Sequence, residues 1–299
     1  MFISFIAKKS SKSKKLLNDI IEKINQQNLV KKHTIKFTEY AGHAVELAQQ
    51  FSTDKADIIV AVGGDGTLNE VVNGVIHASS NAVLGHIPMG TANDFSKTIE
   101  LSKDIDQFIS LLKNNTTKTI DIGKVTCLAK KEEIIRYFIN IADAGLGGYV
   151  ANTLNKSKKL LGSNFTYFQA IIKGIIRFKK PLVNIKIGNI TYEGKLMSIA
   201  ICNGTTFGSG LIISPEAILD DGKFHITLLG DVTLLDYFKN LKKLKKGIKL
   251  THPHIHYYSA DKVQLKTDEI CEIEADGEYV GKGESIFEIL PKSIKILAP

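Results

Sequence analysis

Over the first 120 residues, short apolar runs alternate with amphipathic stretches whose apolar positions recur at helical spacing. FISFIA, HTIKFTE, DIIVAVG and AVLGHIP read as strands. A polar segment ending near Gln27, a stretch around Val45 to Phe51, and TLNEVVNGVIHA read as the helices between them. This is the βαβ rhythm of a parallel sheet. The run from Ile58 to Val62 holds no polar residue, as expected of a strand covered by helices on both faces. A doubly wound α/β domain is therefore predicted for residues 1–120.

Beyond Lys118 the rhythm changes. TIDIGKV, IIRYFINIA, LVNIKI, LMSIAIC, KFHITLLG, KVQLKT, CEIEA and SIFEIL follow one another closely, the pattern of an antiparallel β-sandwich. Helical patterns interrupt it from Phe165 to Phe178 and from Thr233 to Lys246. Residues 121–299 are thus assigned to a second, β-rich domain whose last strand is free to return to the first. A cleft between two such domains is the default place for a ligand.

Composition narrows the class without choosing the chemistry. A chain of 299 residues with 43% hydrophobic content can bury two cores. Cys127, Cys202 and Cys271 are far apart and odd in number, which speaks against a disulfide framework or structural zinc and fits a cytoplasmic setting. MFISFIA is too short for a signal-peptide core, and no run reaches the length needed to span a bilayer, so any membrane contact is peripheral. A net charge of +8 favours anionic partners. Nucleic acid is set aside because no helix-turn-helix, zinc finger or RNP-like strand accompanies the basic residues.

The strongest local signal is the loop of Gly63, Gly64, Asp65 and Gly66 with Thr67, Leu68, Asn69 and Glu70, set between a buried strand and a helix. Glycines there are expected to take positive φ and bring backbone N–H groups toward phosphate oxygens, with the positive end of the helix behind them. It is neither a Walker A loop nor a dinucleotide fingerprint. An acid inside a phosphate-facing loop repels a nucleotide unless a cation intervenes, so Mg²⁺ is expected near Asp65.

Gly64-Asp65-Gly66-Thr67-x-Asn69-Glu70 followed by Pro88-x-Gly90-Thr91-Ala92-Asn93-Asp94-Phe95 resembles the bacterial diacylglycerol kinase and sphingosine kinase superfamily. The resemblance continues through Phe138 to Ala142, Asn203-Gly204, Pro215-x-Ala217, Asp221-Gly222 and Asp276-Gly277-Glu278. It implies an ATP-dependent lipid kinase with a nucleotide-binding α/β domain, a β-rich domain and an active site in the cleft between them. Diacylglycerol is the leading acceptor.

By that resemblance Gly63 to Glu70 and Thr91 would bind ATP, with Thr38 beside it at the end of the second strand. Asp94 would partner Asp65, and with Asp121 they would form a water-linked network around the catalytic Mg²⁺. Glu278 would act as the general base on the lipid hydroxyl. Asp221, with the carbonyls of Ile218 and Lys223, would hold a second, structural Mg²⁺.

One departure stands out. The family places Asn-Pro and a glycine after the first strand, where this chain has Ala7-Lys8-Lys9-Ser10-Ser11, which opens the alternatives of weakened ATP binding or a non-catalytic nucleotide- or lipid-binding protein. An NAD kinase-like enzyme is the rival within enzymes. Leu235, Phe238, Leu241, Leu244 and Ile248 recur at helical spacing among lysines, a basic amphipathic helix suited both to packing and to peripheral contact with an anionic membrane. The Phe165 to Lys180 stretch, apolar with a basic end, reads first as a helix packed inward, with the lining of an acyl-chain route as the alternative. His252, His254 and His256 alternate as on one strand face but lack the neighbours of a metal site. Assembly as a homodimer stays open.

Overall fold

The computed structural model describes residues 1–128, 133–158 and 175–299, excepting the side chains of residues 157, 158, 237 and 238. The chain divides into two compact units, the first formed by 1–121 with 291–299 and the second by 122–290.

In the first unit, β1 (Phe2–Lys8), β2 (Lys32–Thr38), β3 (Ile58–Gly63) and β4 (Val83–Pro88) lie parallel in the order β2-β1-β3-β4. Every residue of β3 is buried, as its unbroken apolar run requires. Between the strands run α1 (Ser11–Gln26), α2 (His43–Thr53) and α3 (Asp65–His77). Helix α1 starts at a capping box in which the Ser10 and Ser13 side chains satisfy each other's backbone N–H. It buries Leu17, Ile20 and Ile24 at three- and four-residue spacing. After β4 come α4 (Asp94–Thr98) and α5 (Ile105–Asn114), the latter capped by Asp104.

The second unit is antiparallel. One sheet has the order β14-β13-β10-β7-β16-β17, built from β7 (Ile141–Gly145), β10 (Ser198–Cys202), β13 (Phe224–Leu229), β14 (Ile255–Ala260), β16 (Glu272–Ala275) and β17 (Glu278–Lys282). Its partner layer contains β5 (Thr117–Leu128), β6 (Glu133–Phe138), β8 (Leu182–Ile187), β9 (Ile190–Lys195), β15 (Lys262–Lys266) and β18 (Ser285–Leu297). Val125, Phe138, Ile199, Ile226, Val263 and Phe287 belong to the core of this sandwich. The short strands β11 (Thr206–Phe207) and β12 (Leu211–Ile212) pair with each other. On the other face of the six-stranded sheet a second core gathers Ile141, Met197, Cys202 and Leu229 with Val150 of α6 (Leu146–Lys158) and Leu241 of α7 (Leu234–Lys245).

Strand β18 belongs to both units. Its first half pairs with β15, Val263 opposite Phe287, and its last residues lie parallel to β4, Ile296 opposite Leu84. Of the helix predicted from Phe165 to Phe178, the part up to residue 174 lies outside the described residues. Ile175 and Phe178 pack against the second core. The predicted strand of alternating histidines is not formed: His252 and His254 precede β14 and only His256 lies on it. The His254 N–H instead donates to His252 Nδ1 at 3.1 Å, and Pro253, with no N–H of its own, stands between them. No described helix is long and apolar enough to cross a membrane.

Candidate functional site

Parallel registers bring the carboxyl ends of four strands to one edge of the first unit, with Lys8 opposite Thr38 and Gly63 opposite Pro88. That is where open α/β sheets bind ligands. A cavity of about 940 Å³ lies there. Its walls come from Lys8 at the end of β1 with Lys9 and Lys12 beyond it, Thr38 at the end of β2 with Tyr40 beyond it, the loop after β3, and Gly90 with Thr91 after β4. The loop that lacks the family's Asn-Pro keeps a defined shape, because Ser13 Oγ donates to the Lys8 carbonyl at 2.6 Å. None of the ion pairs among the described residues uses Lys8, Lys9 or Lys12.

Glycine is needed in the β3–α3 loop for space rather than for positive φ. Gly64 has φ −92°, and neither Gly63, Gly66 nor Gly90 is among the residues with positive φ, which corrects the expectation from sequence. A Cβ on Gly90 would lie 2.5 Å from Gly64 Cα, and one on Gly63 would lie 2.5 Å from Thr67 Oγ1. The loops after β3 and β4 therefore pack backbone against backbone. The Met89 N–H donates to the Gly63 carbonyl at 2.8 Å, and the Gly90 N–H to Asn93 Oδ1 at 2.9 Å.

The structure brings Thr38, Gly63, Gly64, Gly66, Thr67, Glu70 and Thr91 to the cavity wall. Leu68 and Asn69 are not on it. Helical rotation turns both into the interior, where they are fully buried, and Asn73 Nδ2 donates to the Asn69 carbonyl. The Glu70 carboxylate is tied to α2, accepting the N–H groups of Gly42 and Ala44 at 3.0 Å each. It caps that helix, whose N-cap Gly42 has no side chain to do so.

Asp65 opens α3 and accepts the Phe95 N–H at 3.3 Å. Burial pushes its carboxyl up, the Phe95 N–H opposes that, and the charge of Asp94 adds to it. Among the described residues no salt bridge compensates this anion, so the Asp65 carboxylate offers the kind of oxygen a hard divalent cation takes. Asp94 itself is paired with Lys97 at 2.9 Å. Asp121 is fully buried and accepts the Lys292 N–H at 2.7 Å, which ties β5 to the returning part of β18. Among the described residues no three acidic, histidine or cysteine side chains converge as a metal site, so Asp121 is not drawn into a direct cluster with Asp65 and Asp94.

His86 of β4 was not singled out by sequence reasoning. Buried beneath the loop, it lies 3.3 Å from the Gly63 carbonyl through Nε2 and 3.2 Å from Ser96 Oγ through Nδ1. Burial lowers its pKa to about 4, against the partial resistance of the Gly63 carbonyl. The unfolded chain protonates this imidazole below pH 6.5, whereas the folded chain resists until about 4, so stability falls with acid across that window by about 3 kcal/mol. Urea unfolding of wild type and His86→Gln at both ends of the window should show that extra loss in wild type alone. Equal pH slopes would remove the role.

In the second unit, β16 and β17 form a hairpin whose central residues Asp276 and Gly277 have φ of 50° and 83°, as a type I′ turn demands. The Asp276 carboxylate accepts three successive N–H groups, from Ile139, Asn140 and Ile141, at 2.9, 3.0 and 3.1 Å. That anchor fixes the first residue of β17, Glu278, which lies opposite Ala275. Behind the hairpin two buried carboxyls face each other in register, Asp143 of β7 and Glu274 of β16. Burial pushes Asp143 up to about 7, opposed by hydrogen bonds from Ser198 and Gly147. Glu274 is raised by burial and then by the charge of Asp143, with Gly277 N–H lowering it.

In the turn of Ile218, Asp221 and Lys223, where a second metal is expected, the aspartate is hydrogen-bonded through both oxygens. Both Asp221 oxygens already have partners, Oδ1 the Lys223 N–H at 3.0 Å and Oδ2 the His225 Nε2 at 3.1 Å. The aspartate closes its own loop into β13.

Residues 3–125 match the family model of the diacylglycerol kinase catalytic domain. Residues 140–298 match that of the YegS C-terminal NAD kinase beta sandwich-like domain. The chain is 28% identical over 287 residues to a diacylglycerol kinase of Staphylococcus saprophyticus, covering 96% of this chain and 90% of that one. To a diacylglycerol kinase of Staphylococcus haemolyticus it is 30% identical over 263 residues, 88% of this chain and 77% of the relative. A crystal structure of a candidate diacylglycerol kinase from Bacillus anthracis matches with a TM-score of 0.76, covering 99% and 97% of the two chains. At 23% identity that likeness speaks for the fold alone. By its catalytic-domain match, its sandwich match and its relatives, the chain belongs to the diacylglycerol kinase family of lipid kinases.

Proposed function

We propose that the chain transfers the γ-phosphate of ATP to the hydroxyl of diacylglycerol, giving phosphatidic acid. The observation that carries this is the cavity of the first unit, where the Gly63 to Thr67 loop and Gly90 meet three lysines that form no salt bridge among the described residues. Phosphoryl transfer depends chiefly on positioning and on neutralising charge. Lys8, Lys9 and Lys12 would offset the charge that the family's missing loop residues leave unmatched. Mg²⁺, held through Asp65 and Asp94, would neutralise charge on the phosphates.

Glu278 serves as the general base, taking the proton of the acceptor hydroxyl as its oxygen bonds to phosphorus and ADP leaves. The Asp276 anchor supports this assignment, since a base must be held in one place to act. The setting is cytoplasmic, with peripheral contact with an anionic membrane where the acceptor resides. Labelled ATP offered with a panel of lipid alcohols, and separately with NAD, tests the reading. Label is expected in the lipid fraction with diacylglycerol preferred. Label in NAD, or nucleotide binding without any transfer, would refute it.

A further inference from the structure

The packed side of α7 differs from the stripe expected from sequence. Leu244 is buried, and Leu234 and Leu241 pack against the second core, but Leu235 is 62% exposed and Ile248, just past the helix, is 50% exposed. The side chain of Phe238 lies outside the described residues. At roughly 100° per residue, Lys239, Lys242 and Lys246 follow Leu235 at i+4, i+7 and i+11, on the same outward face. All three are exposed, and none forms a salt bridge among the described residues. The acid of this helix, Asp236, is occupied in the capping box with Thr233. One face therefore presents an exposed leucine at one end and cations along its length, while the opposite face holds the helix to the domain.

A protein partner with an acidic groove would satisfy the lysines, but the leucine at the rim of a cationic face suits a bilayer better. There the apolar group enters the interface while the lysines meet phosphate headgroups. We propose that this face of α7 is the surface by which the chain docks on an anionic lipid bilayer. The proposal rests on the lipid-acceptor reading, because such an acceptor is dissolved in a bilayer and the described helices include none that crosses one.

Sedimentation with phosphatidylcholine vesicles, with and without phosphatidylglycerol, tests it. Wild type is expected to bind the anionic vesicles and to be released by salt. The triple variant Lys239→Gln/Lys242→Gln/Lys246→Gln is expected to lose on the order of 100-fold in partitioning, and Leu235→Gln about tenfold. A control that removes the same charge elsewhere, Lys103→Gln/Lys113→Gln/Lys118→Gln, should bind like wild type. All variants should keep wild-type melting and wild-type phosphorylation of a short-chain diacylglycerol dissolved as monomer. Equal loss in the control would assign binding to net charge and overturn the proposal, as would wild type failing to bind anionic vesicles. Absence of phosphorylation by wild type would instead sink the kinase reading while leaving vesicle binding to stand or fall on its own result.

Discussion

Glu278→Gln is expected to lower kcat for lipid phosphorylation at least about 100-fold while leaving ATP affinity within about twofold of wild type. Glutamine keeps the length and hydrogen-bonding shape of the side chain but cannot take up the acceptor's proton. The hairpin that carries it should be unaffected, because its geometry is set by Asp276 on three backbone amides and by two residues in left-handed conformation. The variant thus separates proton transfer from positioning. Turnover within threefold of wild type would strip Glu278 of its assignment without touching the nucleotide site. A parallel loss of ATP affinity would point to a structural role instead.

Gly90→Ala should be as damaging by a different route, weakening ATP binding roughly 100-fold, or about 3 kcal/mol. Its new methyl would stand 2.5 Å from Gly64 Cα and 2.8 Å from Asn93 Oδ1. Both neighbours belong to the loops that line the cavity, and one of them is backbone, so relief requires the loops to part. Parting them breaks the Met89 to Gly63 hydrogen bond and displaces residues of both loops that line the cavity. Calorimetric titration with ATP reads the affinity, and thermal melting of the unliganded protein reads the accompanying stability loss of about 1–3 kcal/mol. Unchanged affinity despite lowered stability would mean that the loops do not bind phosphate.

Much of the fold was legible because its strongest signals are local. An unbroken apolar run such as Ile58 to Val62 admits few readings besides a covered strand, and a glycine-rich turn followed by an amphipathic segment marks the switch to helix. Strands β9 and β17 escaped notice because ITYEGK is largely exposed and EYVGK is short and interrupted by glycine, so neither shows a clean alternation. The family motifs supplied the stretch of loop, but not which of its side chains face the cavity. Leu68 and Asn69 turn into the interior, whereas Glu70 reaches the wall, because consecutive helical residues cannot share a face.

His86 illustrates what no local pattern can reveal. A single histidine in an apolar strand looks like any half-tolerated polar residue, and its partners stand 23 residues before it and 10 after it. Only the closing of β3 against β4, and of α4 behind them, makes it a buried strut between the Gly63 carbonyl and Ser96. Similarly, the Asp143 and Glu274 pair is joined by strand register across more than a hundred residues, beyond the reach of any spacing rule.

Because β18 supplies strands to both units, the polypeptide cannot be divided into two autonomous fragments by one cut. A fragment ending at residue 121 would lack residues 291–299, leaving the outer edge of β4 bare and the carboxylate of Asp121 without the Lys292 amide. Such an edge invites intermolecular pairing and precipitation. Anyone preparing the first unit in isolation would have to splice the final nine residues back on through a designed connector.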